Sequence, residues 1–465
     1  MLNVSLNKLP ENLDPTNLRF MEHFLLVQLY SQTLVRVDET GSIISYLAKR
    51  WSYEEKTTSF TFNINDEALF SDGSRLTCED VAWSLSRHFW ESSNSVVANY
   101  LGIALLENRI KDNSIHPSFI CLSDTKLQIK LKKYYSPLLF VLTMPGFSVT
   151  KKYKKFIPIG SGPLKLLDQK AFTFISNGYF KEKIKLQEIK LIEKSSTNEA
   201  IDAFNSSEID LSLGLNLVDF KENRFIKENI HPIYSESLAS AHLYFNTDGI
   251  YKLQENRKRL FLMFSEVADV FTNKTEYFER LKTFIPDGLL PKKYYKGIKA
   301  ELVNVSYKSP ISAKIVLNKS IFSEDFSLIA QKIAKKYNIT INIILSDSTE
   351  FLRHMKNKDF DLIGGRYVGN YPDPDAFIDS INKFSNLYYG NFETGLFFKQ
   401  LEKYRFEKIE TTRLKMYAQE FLDFEANLYI IPLFRLKIPI LVRKELSLPN
   451  TKFRYEGELW KIFWK

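Results

Sequence analysis

The sequence predicts an α/β protein of two or three domains, and three observations lead there. Its 465 residues are too many for one compact core. Short runs of period-two alternation, such as Phe60, Phe62 and Ile64, recur between stretches of helical spacing, such as Val81, Leu85 and Phe89. A 44% apolar share with 26% charged residues is ordinary for a globular chain and argues against a disordered or fibrous one.

Leu2, Val4 and Leu6 alternate as a first strand, and the turn-rich stretch LPENLDPTN follows. Residues 20–34 then place Phe20, Phe24, Val27, Tyr30 and Leu34 at the spacing of an amphipathic helix. After the strand through Phe60, the pair Asp72-Gly73 marks a tight turn. Thr77 stands three residues before Asp80, a capping box in which each side chain satisfies the other's open N–H. His88, on the face of that helix, reads as a packed core residue. Leu127, Ile129 and Leu131 alternate as another strand. The turn PIGSGP at 158–163 reads as a bend, because its Gly-Ser-Gly lacks the helix and lysine of a phosphate loop. Helical spacing returns at 198–204, 260–270 and 325–337, with strands at 209–211, 244–246, 314–317 and 339–345. A long helix carries Leu414, Tyr417, Ala418, Phe421 and Leu422 before LYIIPLF returns as a strand.

Residues 360–378, FDLIGGRYVGNYPDPDAFI, are the most informative stretch. Phe360, Leu362 and Ile363 form a short strand that Gly364-Gly365 is expected to end. Arg366, Tyr367, Asn370 and Tyr371 then bring hydrogen-bonding and stacking groups onto a loop. Asp373 suits an N-cap and Pro374 the first position of an amphipathic helix through Ala376, Phe377 and Ile381. A polar, aromatic loop between a strand end and a helix start is where α/β proteins place ligand sites.

Net charge is +9, from 64 Lys+Arg against 55 Asp+Glu. One denser patch, Lys130, Lys132, Lys133, Lys151, Lys152, Lys154 and Lys155, reads as a solvated face or as weak attraction to an anionic membrane surface, because no nucleic-acid module accompanies it. Cys78 and Cys121 have neither metal spacing nor a C-x-x-C arrangement, so no metal is expected and two separate thiols are. The apolar stretch LYIIPLFRLKIPILV is interrupted by Arg435 and Lys437 and is not a membrane span. No secretory leader precedes the first strand, so either a leader was removed or the protein stays inside. The catalytic signatures H-E-x-x-H, G-x-S-x-G, G-x-G-x-x-G and G-x-x-x-x-G-K-[ST] are missing, which lowers the case for an enzyme and for a cofactor.

Several stretches, in one order, resemble the peptide/nickel-type (family 5) extracytoplasmic solute-binding proteins of ABC importers. Leu47-Ala48-Lys49-Arg50-Trp51 looks like that family's A-x-x-W segment, and Phe70-Ser71-Asp72-Gly73 like its F-H-D-G turn. Leu76 to Val81 is similar to its L-T-A-E-D-V helix start, and Ile159 to Leu164 to its G-T-G-P-Y turn. Ser207-Glu208-Ile209-Asp210 resembles its G-E-I-D, Tyr371 to Asp375 its Y-x-D-P-D loop, and Ile431-Pro432-Leu433 its I-P-L strand. The match departs at Ser71 and Leu164, and the lipoprotein-type leader is missing.

The resemblance implies a two-lobed, periplasmic-binding-protein-like α/β fold with an extra small domain and a ligand cleft between the lobes. On this chain, lobe one would be 1–34, 156–241 and 432–465, the small domain 35–155 and lobe two 242–431. Arg366, Tyr367, Asn370 and Tyr371 would line the second-lobe wall, with Asn246 and Gly160, Ser161 and Gly162 near the hinge. In peptide-binding members an Asp at the place of Asn370 receives the ligand's free α-amine, and an aromatic stands three residues earlier. Tyr367 keeps the aromatic, whereas Asn370 loses the charge. The implied function is a periplasmic or extracytoplasmic monomer that captures a peptide or other small solute for an ABC permease in the membrane. It would need no cofactor, metal or nucleic acid. A cytoplasmic ligand-sensing regulator built on the same fold is the alternative, although no helix-turn-helix precedes the domain. An enzyme using the cleft is a third reading, without a nucleophile or acid/base pair to name.

Overall fold

The structure, a computed structural model, describes residues 1–18, 21–38, 40–153, 157–213, 215, 233–235, 238–274, 277–295, 309–381, 389–393, 395–447 and 461–464. These fall into two compact units: one of residues up to 215 with 233–235 and those from 439 onward, the other of residues 238–438. Both mix helices with sheets, as an α/β chain requires.

In the first unit the strand Leu2–Leu6 lies parallel between Glu188–Glu193 and Leu211–Ser212. Thr173–Ser176 and Leu164–Asp168 extend the sheet antiparallel on one side; on the other Ile438–Val442 joins antiparallel, and Ile233–Ser235 forms the edge beyond it. Leu2, Val4 and Leu6 are buried against Leu26, Val27 and Tyr30 of the helix Met21–Tyr30. Each such side chain contributes about 1.5–3 kcal/mol by leaving water. The helix expected over 20–34 ends at Tyr30, and Phe20 lies outside the described residues.

A four-stranded antiparallel sheet follows in the order Ala48–Glu54, Ser59–Ile64, Lys126–Lys130, Phe119–Ser123. Phe60, Phe62 and Ile64 are all buried, so the period-two reading was sound there. The capping box is present: the Thr77 N–H donates to Asp80 Oδ2 at 2.9 Å and opens the helix Cys78–Ser86. The patch lysines are partly neutralised, since Lys151 pairs with Asp72 and Lys152 reaches Glu79 at 3.3 Å. Lys154 and Lys155 lie outside the described residues.

The expectation of separate thiols is overturned. Cys78 and Cys121 form a disulfide, their Cα atoms 5.7 Å apart. The reason is topological: the edge strand Phe119–Ser123 runs past the start of the helix Cys78–Ser86, where the Cys78 N–H donates to Asp124 O at 2.6 Å.

The second unit is built on a six-stranded sheet ordered Phe278–Arg280, Ile430–Leu436, Ala239–Phe245, Leu362–Val368, Ile311–Asn318, Ile339–Ser346. Ile311–Asn318 runs parallel to both of its neighbours, and the other pairings are antiparallel. Ala239, Ala241, Leu243 and Phe245 point into one core with Leu260, Met263 and Phe264 of the helix Gln254–Thr272 and Phe326 of Glu324–Ala334. Ser240, His242 and Tyr244 alternate to the other face. There the His242 ring meets Phe284 at 5.2 Å, and Phe284 meets Phe377 at 6.3 Å and Phe421 at 5.7 Å. The whole strand Ala239–Phe245 is therefore buried on both faces. Among the described residues, no helix is long and apolar enough to cross a membrane.

Two tests follow from this packing. A disulfide closing a 43-residue separation constrains the unfolded chain by on the order of 4 kcal/mol. Thiol titration of the denatured, unreduced protein is expected to find no free thiol, and reduction to lower the urea midpoint. Glu425 gives the second. Its Oε1 accepts from the Phe284 N–H at 2.6 Å and from the Tyr295 hydroxyl, while Oε2 is buried without a partner among the described residues. Burial pushes its carboxyl up from 4.5 to about 7. Between those values the folded state holds a proton that the unfolded state has released. Stability therefore falls as pH rises through the window, by about 3 kcal/mol, and is level above it. Glu425→Gln should flatten this part of the profile in melting curves taken at pH values across the window.

Candidate functional site

The strand Leu362–Val368 does not end at Gly364-Gly365 but runs through both glycines. A Cβ on Gly364 would stand 2.4 Å from the Leu317 side chain and 2.8 Å from that of Leu243, on the two flanking strands. The glycine lets the sheet close rather than stopping it. Arg366 and Tyr367 are consequently strand residues, opposite Ala241 and Ser240, and only Asn370 and Tyr371 stand beyond the strand end.

Each predicted residue of this wall has a definite setting. Arg366 is exposed, and among the described residues no ion pair engages it. Its carbonyl accepts from the Tyr389 hydroxyl at 3.0 Å, and the Tyr389 ring packs where Gly365 has no side chain. Tyr367 is buried, and its hydroxyl donates to Ala376 O at 2.5 Å while its ring meets Phe377 at 5.4 Å. Asn370 is half-buried. Tyr371 is fully buried and donates to Asp375 Oδ2 at 2.8 Å.

Behind the wall, the Asp-Pro-Asp segment is held by a buried ionic network. Asp373 accepts the Asp375 N–H at 2.9 Å, the capping contact expected of it, at the start of the 3₁₀ helix Pro374–Ile381. The same carboxylate receives Arg413 in a two-pronged pair, Nη1 to Oδ1 at 2.9 Å and Nη2 to Oδ2 at 2.5 Å. Asp375 Oδ1 receives Arg405 Nε at 2.6 Å and the Tyr417 hydroxyl at 2.9 Å. Both aspartates are at most 2% exposed, so neither carboxylate is open to solvent. Burial alone would lower the Arg413 guanidinium, but the Asp373 carboxylate more than offsets it and holds Arg413 above its ordinary value.

Arg413 and Arg405 were missed in the sequence. The signal was present for Arg413, which stands four residues before Tyr417 and eight before Phe421 on the buried face of the helix Glu410–Ala426. An arginine on an apolar stripe calls for a buried anion.

Asn246 lies at the far end of the strand pair from Tyr367, since its N–H donates to Asp361 O at 2.8 Å. Six residues of strand separate the two levels, roughly 20 Å. The Asn246 side chain ties loops together: Nδ2 donates to Phe360 O at 3.1 Å, and Oδ1 accepts from Asn391 at 2.8 Å. The structure does not bring it to Asn370.

Gly160, Ser161 and Gly162 belong to the first unit. A Cβ on Gly160 would fall 2.1 Å from Tyr30 O, and one on Gly162 2.4 Å from Ser31 N. The backbone of this turn is used internally, as Gly162 N–H donates to Tyr30 O and Gly160 O accepts from Ser71 N–H, both at 2.9 Å. Ser161 is 3% exposed, and its hydroxyl has no partner among the described residues. No group of three or more His, Cys, Asp or Glu residues close enough to hold a metal ion occurs among the described residues.

The family model for bacterial extracellular solute-binding proteins, family 5, matches residues 42–271. The chain is 30% identical over 224 residues to the nickel-binding periplasmic protein of Escherichia coli K12, covering 44% of this chain and 40% of that protein. It is 22% identical over 441 residues to the dipeptide-binding protein DppE of Bacillus subtilis 168, covering 83% of this chain and 78% of that one. The solved structure of NikA from Brucella suis in complex with Fe(III)-EDTA is similar at a TM-score of 0.82 and 20% identity, with 100% of this chain and 99% of that one covered. That likeness bears out the two-lobed α/β class. None of these relatives supports the cytoplasmic-regulator alternative.

Removing one partner of a buried ion pair strands the other, at a cost of about 3–5 kcal/mol. Arg413→Leu is expected to destabilise the protein by that much in urea titrations. Asp373→Asn added to it should recover a substantial part, which a double-mutant cycle would read directly.

Proposed function

The chain belongs to the bacterial extracellular solute-binding proteins of family 5, and on that premise we propose that it captures a peptide or other small solute and delivers it to an ABC permease in the membrane. The match spans only 40% of the nickel-binding relative, so the solute is argued from this chain's own residues. Capture by closure of two lobes, the mode the resemblance implies, is part of the proposal. So is the finer division into lobe one (1–34, 156–241, 432–465), small domain (35–155) and lobe two (242–431). The protein acts as a monomer, without nucleic acid, in a periplasmic or extracytoplasmic location. The Cys78–Cys121 disulfide suits such an oxidising compartment. The family is one of binding proteins, and no catalytic step is assigned.

In this reading Arg366 and Asn370 face the solute, with Tyr367 and Tyr371 holding the wall beneath them. Gly160 and Gly162 pack their turn against Tyr30 and Ser31 within the first unit, and Asn246 fixes the loops at the base of the sheet. The observation that carries it is the commitment of both aspartates of the Asp-Pro-Asp segment to internal arginines. At the strand end stand an exposed cation, Arg366, and, four residues further on, a half-buried neutral amide, Asn370. That pairing favours a solute that is neutral or anionic where it meets this wall. Neither Asp373 nor Asp375, the carboxylates of this segment, is open to a free ammonium.

An aspartate at 370 would add a charge-assisted hydrogen bond to an ammonium, worth about 1.5–3 kcal/mol. That is roughly ten- to hundred-fold in affinity. Calorimetry with di- to pentapeptides, their N-acetylated forms and non-peptide solutes is the test, on wild type and Asn370→Asp. Wild type is expected to prefer solutes without a free amine, and the variant to gain affinity only for free-amine peptides. Tight wild-type binding of free-amine peptides that acetylation weakens would contradict the assignment.

A further inference from the structure

The four-stranded sheet of the first unit buries one of its faces and leaves the other open. Phe60, Phe62, Leu127 and Ile129 point to the buried side. The alternate residues form the opposite face, where Arg50, Lys126 and Lys130 are exposed and Thr61, Asn63 and Gln128 half-buried. The register fixes the layout. Arg50 stands opposite Asn63, and Asn63 opposite Lys126, so these two cations lie two strands apart, roughly 10 Å. Lys130 follows Lys126 along the same strand at roughly 13 Å. Between the two lysines the Gln128 amide donates to Ser59 Oγ at 3.1 Å, so the middle of the face is held by a bond of its own.

The cations of this face are distinguished by what they lack. Several others in the unit meet a carboxylate: Lys49 meets Asp66 at 2.5 Å, Lys152 meets Glu79 at 3.3 Å, and Lys151 pairs with Asp72. Among the described residues no ion pair engages Arg50, Lys126 or Lys130. Glu54, the acid that shares the face, accepts the Thr57 hydroxyl at 2.8 Å. Beyond the strand ends, exposed Lys132 and Lys133 outnumber exposed Asp124, and Glu55 and Lys56 cancel. The edge strand Phe119–Ser123 adds two aliphatic side chains in water: Ile120, opposite Gln128 and 36% exposed, and Leu122, 51% exposed.

The spacing and the chemistry narrow the partner. A small anion reaches one of these cations at a time, whereas an extended anionic plane meets all three within about one screening length at 0.1 M salt. A protein partner calls for an apolar, aromatic centre depleted in charge. Here the centre is Thr61, Asn63 and Gln128, with the charges around it and the aliphatic groups at one edge. We propose that this face docks on an anionic lipid surface, with Arg50, Lys126 and Lys130 over the head groups and Ile120 and Leu122 entering the layer at the edge. The site is separate from the Arg366–Asn370 wall, and it holds whichever solute the protein carries.

The test is sedimentation of the full chain with protein-free vesicles. One set is phosphatidylcholine alone, the other phosphatidylcholine and phosphatidylglycerol in equal parts, each at low and high salt. The protein should bind the phosphatidylglycerol vesicles at low salt, release them at high salt, and ignore phosphatidylcholine. Each cation near such a surface contributes about fivefold in affinity. The double variant Lys126→Glu, Lys130→Glu should therefore bind about 25-fold more weakly or worse. Lys332→Glu with Lys335→Glu, the same charge change on exposed residues of the second unit, should bind as wild type does. Ile120→Ser with Leu122→Ser should weaken binding a few-fold and leave its salt dependence unchanged. All these positions are exposed, and circular dichroism checks that each variant is folded. No binding to the phosphatidylglycerol vesicles at low salt would overturn the proposal, and is the outcome expected if a protein covers this face instead. Equal binding to both vesicle types would also overturn it, as would equal losses in the two charge-reversal variants. Each of these failures leaves the solute reading standing, because that reading is tested by calorimetry at Asn370.

Discussion

Two carboxylates two residues apart cannot both be buried unless each brings its own cation, and this constraint organises the second unit. Asp373 and Asp375 sit at the start of a 3₁₀ helix with no solvent to stabilise them. Arg413 answers one and Arg405 the other, with Tyr371 and Tyr417 completing the lone pairs of Asp375. The helix Glu410–Ala426 must therefore dock where Arg413 reaches Asp373 with both prongs. The Pro374–Ile381 segment is fixed by the same bonds, and Tyr367 inherits its place through the Ala376 carbonyl. Net stabilisation from such a network is small, because desolvation consumes most of the attraction. Its effect is positional: only one arrangement of strand, turn and helix satisfies every charge.

This network separates two kinds of residue that look alike in a sequence. Polar and aromatic groups on a conspicuous loop invite a ligand reading, yet Tyr367, Tyr371 and Asn246 spend their hydrogen bonds within the protein. Among the described residues no hydrogen bond or ion pair engages the Arg366 guanidinium, and its exposure is what makes it chemically available. The same sorting applies at Gly160 and Gly162. They are glycines because the backbone of Tyr30 and Ser31 occupies the space a side chain would need.

How much was legible follows from how local each signal is. The strand through Phe60, Phe62 and Ile64 and the Thr77–Asp80 cap depend on neighbours within a few residues, and both were readable. Gly364 was misread because the rule that glycines end strands is local, whereas the need for glycine comes from Leu243 and Leu317 on other strands. The Cys78–Cys121 bond was missed for a related reason: only the sheet order brings Phe119–Ser123 beside the start of Cys78–Ser86. The order of weak motifs along the chain carried the family, and it did so where single motifs could not. The arginines of the network were hidden because their partners lie 30 and 40 residues away.

The glycine at 364 also limits how this sheet can change over generations. A side chain there would collide with Leu317 and Leu243 at once, and with Phe322 at 3.1 Å. A single substitution from glycine would have to push apart two strands that are hydrogen-bonded to the one between them. Smaller residues at 243 and 317 would have to come first, and each would leave a void of its own before the third change filled it. Drift at these three positions should accordingly be correlated, with glycine at 364 keeping company with large aliphatics on either side.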